Sequence, residues 1–123
     1  MDKKIAFVFS GQGAQYVGMG KELYETNKSA KNVWDTLERI NPDIKRICFE
    51  GNIAELSLTI NSQPCLFGAG LAAAYSLIES GIKPHACAGF SLGEIAAITF
   101  SEMLSLEDGV KLVTKRAELM QSC

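Results

Sequence analysis

Histidine is almost missing from this chain: among 123 residues His85 is the only one, and no second imidazole stands at the spacing a metal site needs. The four cysteines, Cys48, Cys65, Cys87 and Cys123, lie far apart with no Cys-x-x-Cys pair. A metal centre is therefore not expected. The thiols read as those of a reduced, cytoplasmic protein, with Cys65 and Cys87 buried as small apolar residues. An excess of positive charge is lacking too. Twelve Lys and Arg stand against fourteen Asp and Glu, a net charge of −2, with no basic stripe to neutralise phosphates, which argues against nucleic acid as a partner. Long apolar runs are absent. Residues 5–9 are too few for the apolar part of a signal peptide, and residues 64–78, mostly apolar but full of Gly and Ala, fall short of a membrane span of about 20 residues. Internal repeats and low-complexity tracts are missing as well. What remains, 47% apolar and 21% charged residues, is the composition of a globular domain that can bury roughly two-thirds of its unfolded surface.

Ile5-Ala6-Phe7-Val8-Phe9 is an uninterrupted apolar run of strand length, read as a strand buried on both faces that feeds the glycine-punctuated loop Ser10-Gly11-Gln12-Gly13-Ala14-Gln15. Apolar spacing predicts short amphipathic helices over residues 19–26 and 30–40, and one or two further turns over 44–49, before Gly51-Asn52. A long helix is expected from Gln63 or Pro64 to Ser80, capped by Ser62 and stopped by Gly81, with Gly68, Ala69, Gly70 and Ala72 to Ala74 allowing close packing on a sheet. Residues 85–90 read as a second buried strand. Helices over about 92–100 and over 106–121 follow, the last with an apolar face of Val110, Val113, Ala117 and Met120. Strand, helices, strand, helices implies an α/β fold with a parallel sheet and flanking helices.

Gly89-Phe90-Ser91-Leu92-Gly93 follows the second strand and opens a helix. Gly-x-Ser-x-Gly at that junction is the sequence form of a nucleophile elbow, in which glycines permit a sharp turn that exposes Ser91 Oγ while the Leu92 N–H supplies one oxyanion donor. The plain alternative is a structural strand–helix turn. In a parallel sheet ligands gather beyond the carboxyl ends of the strands, which puts Gly11-Gln12-Gly13 near Ser91 if the strands are neighbours. The Gln12 N–H is then a second oxyanion donor, each worth about 3–4 kcal/mol of transition-state stabilisation. Its alternative is a tight turn.

Phe9-Ser10-Gly11-Gln12-Gly13-Ala14-Gln15, Gln63-Pro64, Ala88-Gly89-Phe90-Ser91-Leu92-Gly93-Glu94 and Arg116-Ala117-Glu118-Leu119-Met120-Gln121 together resemble the malonyl-CoA:acyl carrier protein transacylases of fatty-acid synthesis and the acyltransferase domains of polyketide synthases. The four motifs run in order from end to end of the chain. They cover only the amino-terminal portion of that family, whose members are more than twice as long. The resemblance implies an α/β-hydrolase-like core, with residues 1–123 as part of the large subdomain and the small ferredoxin-like subdomain and carboxyl-terminal part absent. It implies Ser91 as the acylated nucleophile, Gln12 and Leu92 amides as the oxyanion hole, Arg116 as the clamp on the malonyl carboxylate, and Gln63 lining the pocket. A planar guanidinium suits bidentate carboxylate binding as Lys does not. Without the resemblance, Arg116 reads as a solvated helix charge beside Lys111 and Lys115, and Gln63 as a helix N-terminal residue. The substrates implied are malonyl-CoA and the phosphopantetheine thiol of acyl carrier protein, with no tightly bound cofactor, no metal, no nucleic acid and no membrane.

Two departures qualify the resemblance. Phe90 stands where many members carry His, and is expected to pack as an apolar wall. The general base is the larger matter, because a neutral serine is a weak nucleophile and the family's catalytic histidine follows the serine at long range. His85 lies six residues before Ser91, roughly 20 Å away along a strand, and reads as a surface residue. The chain is thus expected to be a truncated enzyme, impaired alone, whose exposed core the missing part or another chain would cover. Met1 directly before the first strand favours a stand-alone enzyme. A serine hydrolase or thioesterase with the same elbow, or a non-catalytic fragment that binds acyl-CoA or a partner, are the competing readings.

Overall fold

The computed structural model describes residues 3–123. Strand β1 (Ala6–Phe9) leads into helices α1 (Lys21–Thr26), α2 (Lys28–Ile40), α3 (Ile44–Glu50), α4 (Ile53–Leu56) and α5 (Thr59–Glu79); β2 (Ala86–Gly89), α6 (Leu92–Phe100) and α7 (Leu106–Gln121) follow. The two strands pair in parallel, Ala6 opposite Ala86 and Phe9 opposite Gly89, so the loops after both strands emerge on one side. Side chains placed before the helices explain several starts. Asn27 accepts from the Ala30 N–H at 3.0 Å before α2, and Ser105 accepts from the Asp108 N–H at 3.0 Å before α7, each satisfying a donor that the first helical turn leaves unpaired. Gly81, at φ +89°, closes α5, as its position predicts.

Helix α5 differs from its expected form. It begins at Thr59, so Ser62, Gln63 and Pro64 are buried helical residues and not a cap and first turn. Pro64, inside the helix, forgoes the bond to the Ile60 carbonyl and sets its ring against that carbonyl, a cost of about 3 kcal/mol or more. The first turn is held instead by a partner that local sequence does not reveal: Gln121 Oε1 at the end of α7 accepts the Ile60 N–H at 3.1 Å. The small residues of α5 also divide their work. Gly70 faces the Phe9 ring of β1, whereas Gly68 lies under Leu37 and Trp34 of α2, so close packing serves a helix as much as the sheet.

The strands are covered on one face only among the described residues. Phe7 and Phe9 are buried, and their rings lie 5.5 and 6.0 Å from that of Phe100 on α6. Val8 between them is 75% exposed, and β2 likewise leaves Ala86 and Ala88 open. The expectation of a first strand buried on both faces and a buried second strand is corrected: apolar runs predict burial, but α5 and α6 pack on one side here. A groove of about 320 Å³ runs along the outer edge of β1, between its backbone and Gly70, Ala73, Ala74 and Leu77 of α5. Met120 is half-exposed, not part of the buried face of Val110, Val113 and Ala117.

Cys48 and Cys65 are buried, Cys87 is half-buried and Cys123 exposed. The neighbouring Cys48 thiol, and then burial, hold Cys65 far above the ordinary thiol range. A group raised in the folded state stabilises the fold fully below the free-thiol pKa near 8.5 and loses that contribution as pH climbs above it. Iodoacetamide at pH 8 is expected to label Cys123 and to spare Cys48 and Cys65 until the protein unfolds, as peptide mass mapping would read; early labelling of Cys65 would contradict this burial. Leu37, fully buried between α2 and α5, sets the scale for the core. Leu37→Ala is expected to lower the unfolding free energy by about 2–5 kcal/mol in urea titration, and Leu112→Ala, on the exposed face of α7, by less than about 0.5 kcal/mol.

Candidate active site

The turn between β2 and α6 is held by backbone bonds from Phe90 N–H to the Phe9 carbonyl at 3.1 Å, Gly93 N–H to the Phe90 carbonyl at 2.9 Å and Glu94 N–H to the Ser91 carbonyl at 3.0 Å. Both glycines are demanded by close approach. A Cβ at Gly89 would strike the Gly93 carbonyl, and one at Gly93 would strike the Phe9 carbonyl. Ser91 sits at φ 60°, ψ −117°, a conformation an L-residue adopts at a cost of about 1–3 kcal/mol and that clusters at functional sites. It is followed by the fully buried Leu92, which anchors α6 and leaves its own N–H, the first of the helix, donating to nothing among the described residues. Phe90 is 76% exposed and is not the packed wall expected: it is on the uncovered side, and its ring lies so close to Gly11 that a Cβ there would come within 2.9 Å.

That contact sets the Gly11-Gln12-Gly13 loop against the elbow. Two glutamines pin the loop to the chain just ahead of and at the start of α5: Gln12 Nε2 donates to Thr59 Oγ1 at 3.2 Å and Gln15 Nε2 to Ser57 Oγ at 3.3 Å. Gln15 Oε1 in turn accepts the Gly13 N–H at 2.8 Å. The Gln12 N–H, like that of Leu92, donates to nothing among the described residues.

Three side chains distant in sequence converge by direct bonds. Arg116, on the face of α7 turned toward α5, donates from Nη2 to Ser91 Oγ at 3.0 Å and from Nη1 to Gln63 Oε1 at 2.6 Å. Gln63 is fully buried, and its Nε2 donates to Met120 Sδ at 3.2 Å. Arg116 is half-buried and forms no ion pair among the described residues; the six that occur involve other cations. An unneutralised guanidinium with a planar fork has the geometry and charge that suit bidentate hydrogen bonding to a carboxylate. Thr59 and Met120 carry contacts in this site that sequence reasoning passed over. Met120 had a signal, since it lies four residues after Arg116 and so on the same helical face; the role of Thr59 depends on α5 starting earlier than expected.

His85 takes no part. At the far end of β2 from Ser91, it donates its N–H to the Ile5 carbonyl at 2.7 Å and accepts the Ile5 N–H on Nδ1 at 3.0 Å. It ties the strand starts together, the surface position expected for it. Among the described residues no cluster of three or more His, Cys, Asp or Glu could hold a metal ion, and no helix is long and apolar enough to cross a membrane.

The strain at Ser91 predicts an unusual order of stabilities. Glycine tolerates this φ freely, so Ser91→Gly is expected to exceed Ser91→Ala by about 1 kcal/mol in denaturant unfolding, the reverse of the order within a helix.

Residues 6–123 match the acyl transferase domain family. The malonyl CoA-acyl carrier protein transacylase of Bacillus subtilis (strain 168) is 46% identical over 118 residues, which are 95% of this chain and 37% of that protein. The solved malonyl CoA-acyl carrier protein transacylase of Clostridium perfringens Atcc 13124 superposes with a TM-score of 0.89 at 39% identity, over 97% of this chain and 38% of that one. A malonyl-transacylase solved in complex with its type II polyketide synthase acyl-carrier protein gives a TM-score of 0.88 at 30% identity, over 98% and 40% of the two chains. The chain thus spans about two-fifths of the length of these relatives.

Proposed function

This chain belongs to the acyl transferase domain family, and on that premise we propose that it carries the nucleophile and carboxylate clamp of a malonyl transfer from coenzyme A to the phosphopantetheine thiol of an acyl carrier protein. The observation that carries this reading is the Arg116 guanidinium, free of any ion pair among the described residues, hydrogen-bonded to Ser91 Oγ. The names of the relatives and the carrier protein bound to one of them support the same substrates and partner. On this reading residues 1–123 form part of a larger acyltransferase α/β subdomain.

The chemistry runs in two balanced steps. Ser91 Oγ attacks the thioester carbonyl, the C–S bond breaks, and the serine proton leaves with the coenzyme A thiolate; the carrier thiol then attacks the ester and its proton returns to Ser91. The Gln12 and Leu92 N–H groups are the donors for the oxyanion of each tetrahedral intermediate. Arg116 is pre-set by Gln63. When a malonyl carboxylate arrives, the guanidinium turns its Nη2 from Ser91 to the carboxylate, and Ser91 Oγ is released beside the bound acyl group. Arginine stays protonated and cannot take the serine proton, and His85 is engaged elsewhere. Full-rate chemistry therefore needs a base from outside these 123 residues, and the chain alone acylates slowly.

Incubating the chain and Ser91→Ala with malonyl-CoA, and reading the intact mass, tests the proposal. A malonyl adduct on the first and none on the second is expected; an adduct that persists on Ser91→Ala would sink it. Hydrolysis to free malonate with no transfer to carrier protein would instead favour a hydrolase. Malonyl-CoA bound intact, with no adduct even after imidazole is supplied as an external base, would favour a binding fragment. Arg116→Ala is expected to slow malonyl acylation by about ten- to a hundredfold, the equivalent of a charged hydrogen bond worth about 1.5–3 kcal/mol. Acetyl-CoA, with no carboxylate, should react at a rate this substitution hardly changes.

A further inference from the structure

We infer that Met120 is a positioning residue that sets the site's preference for acyl groups ending in a carboxylate, by fixing which way the Gln63 amide points; the selectivity part rests on the function proposed above. Gln63 is fully buried, and its two amide ends face partners that each work in one sense only. A guanidinium has donors and no acceptor, and a thioether sulfur has lone pairs and no hydrogen to give. The amide oxygen must therefore face Arg116 Nη1, at 2.6 Å, and the amide nitrogen must face Met120 Sδ, at 3.2 Å. The reverse orientation would set an NH₂ group against the guanidinium and an oxygen against sulfur, so the chemistry of the neighbours fixes the assignment.

The chain from sulfur to serine is continuous: Met120 Sδ, Gln63, Arg116, Ser91 Oγ. Arg116 and Met120 are four residues apart on α7, and Gln63 comes from α5, so the amide is gripped at both ends by one helix. The neighbouring Gln121 bonds the Ile60 N–H and holds the end of α7 against the first turn of α5. Packing alone would accept leucine at position 120, which is half-exposed. The sulfur supplies an acceptor to the buried Gln63 amide nitrogen, and because a buried donor left unpaired costs free energy, losing that acceptor favours rotation of the amide toward another partner. When it turns, Arg116 loses its brace and the fork meant for a carboxylate loses its direction.

The test compares the full chain with Met120→Leu and Met120→Gln, the second offering a carboxamide oxygen as a replacement acceptor. One readout is the Gln63 side-chain amide pair in ¹H–¹⁵N spectra, identified through Gln63→Leu; the other is the affinity for malonyl-CoA relative to acetyl-CoA, measured calorimetrically in the Ser91→Ala background. Met120→Leu is expected to shift the Gln63 pair, to speed its hydrogen exchange and to cut the malonyl-to-acetyl ratio by about tenfold, while Met120→Gln restores both. Gln63 resonances unmoved in Met120→Leu, or equal losses for the two acyl-CoAs, would overturn the inference. A wild-type chain with no preference for malonyl-CoA would count against the proposed function, and the Gln63 resonances would still decide the positioning claim.

Discussion

The burial of α5 is the constraint on which the remaining structure depends. Seven consecutive residues, Ser62 to Gly68, are shielded from water, which a helix achieves only with neighbours on every side. Helix α2 supplies one wall through Trp34 and Leu37 over Gly68, and α3 another, where the Ile44 carbonyl accepts from Cys65 Sγ at 3.8 Å. Gly109 of α7 lies against Phe67, and the Phe9 ring of β1 against Gly70. Each fully buried Leu or Phe on such a helix contributes roughly 1.5–3 kcal/mol. The demands of packing prevail even over local polarity: Ser62 Oγ and Trp34 Nε1 are buried without a hydrogen-bond partner among the described residues.

The candidate site is where this helix emerges. Its first two turns receive the glycine loop through Thr59 and the end of α7 through Ile60 and Gln63. Ser91 is brought there by the elbow, whose glycines permit α6 to pack directly on the end of β1. Rigid elements therefore fix the serine and the arginine separately, and a single hydrogen bond joins them. That division explains how a cation half-shielded from solvent can be held with no anion beside it among the described residues: its fork is occupied by the neutral oxygens of Gln63 and Ser91.

Much of this was legible in sequence, for identifiable reasons. Gly-x-Ser-x-Gly after an apolar run gave the elbow, because its geometry is local and its glycines are chemically required. The bounds of α6 and α7 follow from the apolar period. Less legible was whatever depended on contacts across the fold. The start of α5 was misread because Pro64 looks like a first-turn proline, and the glutamine that stabilises the earlier turn lies 61 positions away. Strand burial was misread because apolar residues on the open faces, Val8 and Phe90, are indistinguishable in composition from core. The Met120 contact lay on a predictable helical face, but nothing in the sequence shows that a sulfur would meet an amide there.

The parallel pairing of β1 with β2 has a consequence for the order in which the protein assembles. Ala6 meets Ala86 only after the whole intervening chain has been drawn into a closed loop, and the entropy of that closure must be met before any strand bond compensates it. The helices between the strands make contacts over much shorter separations and can condense first. The loop of Gln12 and the turn of Ser91 both lie beyond that late pairing. On this order folding finishes at the nucleophile, and a chain with its helices packed but its strands apart would keep the helical part of its core, lack Phe7 and Phe9 there, and have no site.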